Sequence, residues 1–133
     1  MIYVDTGAYL ARYLSRDQHH QKAKVFWEKI RKNRESCFTS NFVLDETFTL
    51  LGRWAGYDFA SQKAAIIYAS KLLIILRPTR GDEMKAIDFF QKYADQNVSF
   101  TDCISIVLMR NKKIKRVFSF DSHFERAGFK LCP

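Results

Sequence analysis

Four carboxylates stand where they could act together. Asp5 is the first charged residue after the short apolar run Met1-Ile2-Tyr3-Val4, and Asp121 follows Val117-Phe118-Ser119-Phe120 in the same way. Asp102 opens a stretch, Thr101 to Arg110, that is apolar almost all round, and Glu46 lies inside a helical pattern ending near Ala55. Short runs rich in β-branched and aromatic residues fit buried strands of a parallel sheet. Such sheets hold ligands in the crevice outside the carboxyl ends of their strands. Two strands ending in Asp therefore place two negative charges at the mouth of one crevice. If Glu46 and Asp102 join them, the group cannot stand unaided. Like charges about 4 Å apart repel by on the order of 4 kcal/mol at an effective dielectric of about 20. Either some carboxyls hold protons or a cation is present. Hard carboxylate oxygens without His or Cys select Mg²⁺ or Mn²⁺. Such an ion is a Lewis acid for a phosphoryl oxygen and a source of bound hydroxide, which points to cleavage of a phosphodiester.

Each acid taken singly has a plainer reading. Asp5, Asp102 and Asp121 sit where any helix accepts an acidic cap or dipole partner, worth about 0.3–1 kcal/mol. On a helical wheel of about 3.6 residues per turn, Val43, Thr47, Leu50, Leu51 and Trp54 make a core stripe. Glu46 falls at the edge of that stripe and Asp45 nearly opposite it, in solvent. It is the conjunction of the four that carries the chemical reading. His19, His20 and His123 show no ligand spacing and read as surface or turn residues. No phosphate-binding glycine loop, dinucleotide fingerprint or nucleophile elbow is present.

The chain of 133 residues has the length of one domain. It carries 22 Lys and Arg against 14 Asp and Glu, a formal charge of +8. That balance suits a polyanionic partner. Two basic groups stand out: Lys29, Arg31, Lys32 and Arg34, and Arg110, Lys112, Lys113, Lys115 and Arg116. Each follows a predicted helix, where cations also favour the helix dipole. If they grip RNA, neutralising Lys112 and Lys113 flattens the salt dependence of binding. No apolar run approaches the ~20 residues of a membrane span, and no secretory signal is expected. Cys37, Cys103 and Cys132 make neither zinc spacing nor a disulfide framework, so buried free thiols in a reducing cytoplasm are expected.

The elements that must position the acids alternate. A first strand leads into a helix from Thr6 to about Leu14, then a helix over 18–33 carries Ala23, Phe26, Trp27 and Ile30 on one face. A strand over 36–39 precedes a helix capped by Ser40 or Asn41 and closed at Gly56. A helix over 59–71, a strand over 72–76, and an amphipathic helix from Arg80 to Asp95 with Ile87, Phe90 and Ala94 inward come next. The buried helix over 101–110, a strand over 116–120, a short helix over 122–127 and a strand over 129–132 complete the chain. Alternation of this kind specifies an α/β fold, a three-layer α/β/α sandwich around a mainly parallel sheet, with residues 1–133 as a single domain.

The chain resembles the PIN domain family, and within it the small VapC-like toxins of type II toxin–antitoxin systems. The resemblance rests on Ile2-Tyr3-Val4-Asp5-Thr6, Thr39-Ser40-Asn41-Phe42-Val43-Leu44-Asp45-Glu46, Phe100-Thr101-Asp102-Cys103-Ile104 and Val117-Phe118-Ser119-Phe120-Asp121-Ser122-His123-Phe124. It implies a Mg²⁺- or Mn²⁺-dependent ribonuclease that leaves 5′-phosphate and 3′-hydroxyl ends. It also implies an acidic pocket of Asp5, Glu46, Asp102 and Asp121 with Thr6 hydrogen-bonding within it, a homodimer, and a small inhibitory antitoxin. Many relatives carry another acid two residues after the last Asp; here that position is His123, so Asp121 alone serves that corner. A housekeeping nuclease of RNA maturation or decay, and a non-catalytic RNA- or protein-binding adaptor, share the same sequence signals.

Overall fold

The computed structural model describes residues 1–133. In chain order the elements are β1 (Ile2–Val4), α1 (Thr6–Tyr13), α2 (His20–Asn33), β2 (Cys37–Ser40), α3 (Asn41–Ala55), α4 (Tyr57–Ala69) and β3 (Leu73–Leu76). There follow α5 (Arg80–Lys92), α6 (Phe100–Asn111), β4 (Arg116–Phe118), α7 (His123–Arg126) and β5 (Lys130–Cys132). The five strands form one sheet in the order β3-β2-β1-β4-β5, and every neighbouring pair is parallel. Helical crossovers between parallel strands cover such a sheet, and the α/β expectation from element alternation is met.

The central strand is fully enclosed. Ile2, Tyr3 and Val4 have no exposed surface, and Tyr3 lies opposite Phe38 on one side and Val117 on the other. Because β1 has neighbours on both edges, the residue that leaves it, Asp5, emerges in the middle of the sheet's carboxyl edge. Helix α6 buries every residue from Cys103 to Met109, as its all-round apolarity requires. Cys37, Cys103 and Cys132 are buried free thiols. Burial pushes Cys37 and Cys103 up to about 11, so neither is a thiolate at neutral pH. No helix is long and apolar enough to cross a membrane.

Two helical faces differ from the expected ones. Helix α3 buries Val43, Leu44, Thr47, Leu51 and Gly52, while Trp54 is 62% exposed. The reason lies in its last turn, which packs on α4: a Cβ at Gly52 would come within 2.5 Å of the Tyr57 ring. The buried stripe therefore follows Gly52, and Trp54 is left outside. Helix α5 ends at Lys92 and buries Ala86, with Phe89 and Tyr93 packed on the core. Ile87, Phe90 and Ala94 face outward instead. The face is turned by one residue because α5 lies along α6 through Ala86 and Phe89, and periodicity alone did not fix that contact.

Candidate metal centre

Strands β1 and β4 are adjacent and parallel, so their ends arrive side by side. The Asp5 N–H donates to the Phe118 carbonyl at 3.1 Å, extending the ladder one residue past β1. Asp5 occupies the N-cap position of α1, yet its side chain makes no capping bond. Its carboxylate is turned to other work. Oδ2 accepts from the Ser119 hydroxyl at 2.9 Å, and the same hydroxyl accepts the Asp121 N–H at 3.1 Å. One serine thus ties the two strand-end acids together.

Asp102 enters from α6. Ser99 is the N-cap: its hydroxyl accepts the Asp102 N–H at 3.0 Å, and the Ser99 N–H donates to Asp102 Oδ2 at 3.1 Å. This reciprocal box fixes the aspartate at the helix N-terminus. The plain capping role therefore holds for Asp102, but it uses one oxygen of the carboxylate. Glu46 reaches the same region from the first turns of α3, half-buried and hydrogen-bonded by the Thr101 side chain.

The electrostatics record how close these acids stand. Burial, then repulsion from Asp102, pushes Asp5 up to about 7; Glu46 adds a smaller repulsion, and the Ser119 hydroxyl and Thr6 N–H oppose the shift. Burial also raises Glu46, with Asp102 and Asp45 adding to it. Asp5, Glu46 and Asp102 therefore feel one another, and Asp121 joins through Ser119 and through a histidine. The Thr6 hydroxyl, expected to hydrogen-bond in this pocket, is buried without a protein partner; the Thr6 backbone N–H makes the contact instead.

His123 is the residue that the sequence hid. Far from being a surface or turn residue without ligand geometry, its ring is nearly buried and its Nε2 lies 2.7 Å from Asp121 Oδ2 and 3.0 Å from Asp102 Oδ2. Donor atoms of Asp102, Asp121 and His123 all lie within 4.8 Å of one another. Spacing rules missed it because its partners come from α6 and from the turn before α7. The other two histidines are committed elsewhere: His19 stacks on Phe120 at 4.2 Å, and His20 Nδ1 contacts the Ala11 carbonyl at 2.7 Å.

The basic clusters lie elsewhere. Arg31, Lys32 and Arg34 end α2, and Lys112 to Arg116 run from the end of α6 into the start of β4. In a parallel sheet those positions are at the amino edge, across the sheet from the acids. Arg116 is also paired with Glu35. A cleft of about 650 Å³ is lined by Tyr9, Arg12, Trp27 and Leu73 among others and includes none of the four acids.

The donor set fits a divalent cation. The carboxylates of Asp102 and Asp121 meet at His123, Asp5 is pushed up by burial and then by Asp102, and the buried Thr6 hydroxyl has no protein partner. A cation satisfies all of these at once.

The PIN domain family model matches residues 2–130. The chain is 35% identical to the 23S rRNA-specific endonuclease VapC20 of Mycobacterium tuberculosis over 97% of its own length and 95% of that protein's. It is 29% identical to a VapC ribonuclease of Archaeoglobus fulgidus over 91% of its length and 77% of that protein's. It also superposes on the crystal structure of the Mycobacterium tuberculosis VapC20, described as a sarcin-ricin loop cleaving toxin. The TM-score is 0.87 at 33% identity, covering 97% of this chain and 96% of the other. With its parallel sheet and its acids at the carboxyl ends of β1 and β4, the chain belongs to the PIN domain family, among its VapC-like members.

Proposed function

We propose that this protein is a Mg²⁺- or Mn²⁺-dependent endoribonuclease and the toxin of a toxin–antitoxin pair. The observation that carries the reading is the convergence of Asp5 with Asp102 at the carboxyl edge, close enough that their repulsion helps to push Asp5 up to about 7. Such a buried repulsion is relieved by a retained proton or by a cation, and hard carboxylate donors favour a divalent ion. Asp5, Asp102 and Asp121 would hold the ion. When bound, it supplies Lewis acidity toward a phosphate oxygen and a more acidic water. Glu46, raised by burial, would ligate the ion or orient the attacking water and take its proton at the carboxylate. Ser119 fixes the orientation of Asp5, and Thr6 would bond within the pocket through its free hydroxyl.

The Mycobacterium tuberculosis relative is named for 23S rRNA, and ribosomal RNA is the first substrate to try. A small antitoxin encoded beside the gene would be the inhibitory partner. Exposed Trp54, Tyr57, Ile66 and Tyr68 on α3 and α4 support a homodimer. The three reduced cysteines and an RNA substrate support action in the cytoplasm.

The test is cleavage of ribosomal RNA by purified protein with Mn²⁺, with Mg²⁺ and with chelator, beside Asp5→Asn. Metal-dependent cleavage that disappears in the variant is expected. Cleavage that persists in chelator, or at full rate in Asp5→Asn, overturns the assignment.

A further inference from the structure

We infer that His123 is a nitrogen ligand of the divalent ion and that it tilts this site toward Mn²⁺ over Mg²⁺; the inference rests on the metal-dependent reading above. Three observations carry it. First, one atom, His123 Nε2, faces two carboxylate oxygens at once, Asp121 Oδ2 at 2.7 Å and Asp102 Oδ2 at 3.0 Å. A ring nitrogen carries either one proton or one lone pair. A proton cannot point well at both oxygens, and a lone pair would face two anions. A cation placed between the three atoms resolves every contact. Second, the separations suit that arrangement. Adjacent ligands of an octahedral ion with bonds of about 2.1 Å lie ~3.0 Å apart, close to the 2.7 and 3.0 Å at which His123 Nε2 stands from the two carboxylate oxygens. Third, the ring is held in place before any ion arrives. Its N–H backbone group donates to Asp121 Oδ1 at 3.1 Å, and its side chain is only 12% exposed.

The consequence is selectivity. Mg²⁺ holds its waters and prefers oxygen donors. Imidazole favours first-row transition ions, and affinity for such ions rises from Mn²⁺ onward. Replacing an acid by His123 in the donor set weakens the site for Mg²⁺ more than for Mn²⁺. His123 also removes one negative charge relative to an all-carboxylate corner, which costs the harder ion most.

Pulsed electron paramagnetic resonance of Mn²⁺ bound to the full chain tests this directly. A ¹⁴N coupling from a directly bound imidazole is expected in the wild type, converting to a ¹⁵N coupling when histidine is isotope-labelled. The coupling should vanish in both His123→Asp and His123→Gln, with the fold checked by circular dichroism. Calorimetric titration should show the Mn²⁺-over-Mg²⁺ preference falling in His123→Asp. Bound Mn²⁺ without nitrogen coupling, coupling that survives both variants, or an unchanged preference overturns the inference. If Mn²⁺ binds and Asp5→Asn abolishes that binding while no nitrogen coupling appears, the metal centre stands and His123 is only a hydrogen-bond clamp. If Mn²⁺ does not bind at all, both readings fall.

Discussion

The properties of Asp5 follow from where a single carboxylate sits. It is 6% exposed and pushed from 3.8 up to about 7. A carboxyl raised on folding favours the folded state while it is neutral. That contribution is complete below about 4 and is lost as pH rises through about 7. In the absence of metal, Asp5→Asn should therefore melt above the wild type at pH 8. The gap should close by up to about 1.4 kcal/mol per pH unit on acidification toward pH 4. Added Mn²⁺ should narrow that gap at pH 8, because the ion binds only the ionised wild-type carboxylate. At 100 times its Kd, an ion stabilises by about 2.7 kcal/mol. A thermal melt with and without ion at several pH values reads all of this. Ser119→Ala is a second test. It removes the donor that lowers Asp5 and orphans the Asp121 N–H, so the pH at which metal binding reaches half its plateau should move upward. An unmoved midpoint would mean that Ser119 does not tune the site. Asp5 and Asp121 were legible in the sequence because strand ends announce themselves through apolar runs. His123 was not, since its ring is aimed by an Asx-type turn at Asp121 and meets Asp102 from 21 positions away.

At the scale of elements, α6 has two duties that meet at Asp102. Its N-terminus is closed by the Ser99–Asp102 box, and the same aspartate faces the acid cluster and His123. Ser99→Ala removes the hydroxyl that accepts the Asp102 N–H. A lost cap of this type costs about 1 kcal/mol, or roughly 3 °C in Tm for a chain of this size. Metal affinity should fall with it, because the turn that positions Asp102 loosens. A loss of stability with unchanged Mn²⁺ affinity would separate the cap from the site. The existence and type of the elements could be read from periodicity, and α6 declared its own burial. The orientation of α3 and α5 could not be read so far. A wheel gives the width of an apolar face but not the neighbour that covers it, and Gly52 under the Tyr57 ring and Ala86 on α6 decide which residues go inside.

The whole molecule carries +8, yet its densest basic clusters stand at the amino edge of the sheet, opposite the acids. The sequence gives composition along the chain; the parallel topology decides which cations share an edge with the chemistry. Strand β3 ends at Leu76, paired with Ser40 of β2, so the chain leaves the sheet there on the same edge as Asp5. The next cations are Arg77 and Arg80, both exposed and neither in an ion pair. Strands lie about 4.8 Å apart, which sets β3 about 10 Å from β1, a span of one or two nucleotides. Each phosphate held on a single strand contributes about −0.7 to the slope of log binding constant against log salt. The Arg77→Ala, Arg80→Ala double variant should therefore flatten the slope for a cleavage-resistant RNA by about 1.4. On the sequence alone, Lys112 and Lys113 were the cations expected to set the slope. Their place at the far end of α6 predicts that the Lys112→Ala, Lys113→Ala double variant leaves the slope close to that of the wild type. Filter binding across a salt series distinguishes the two. A flattened slope in the lysine pair alone would mean that RNA wraps past the amino edge, and that the path across the carboxyl edge drawn from the topology is wrong.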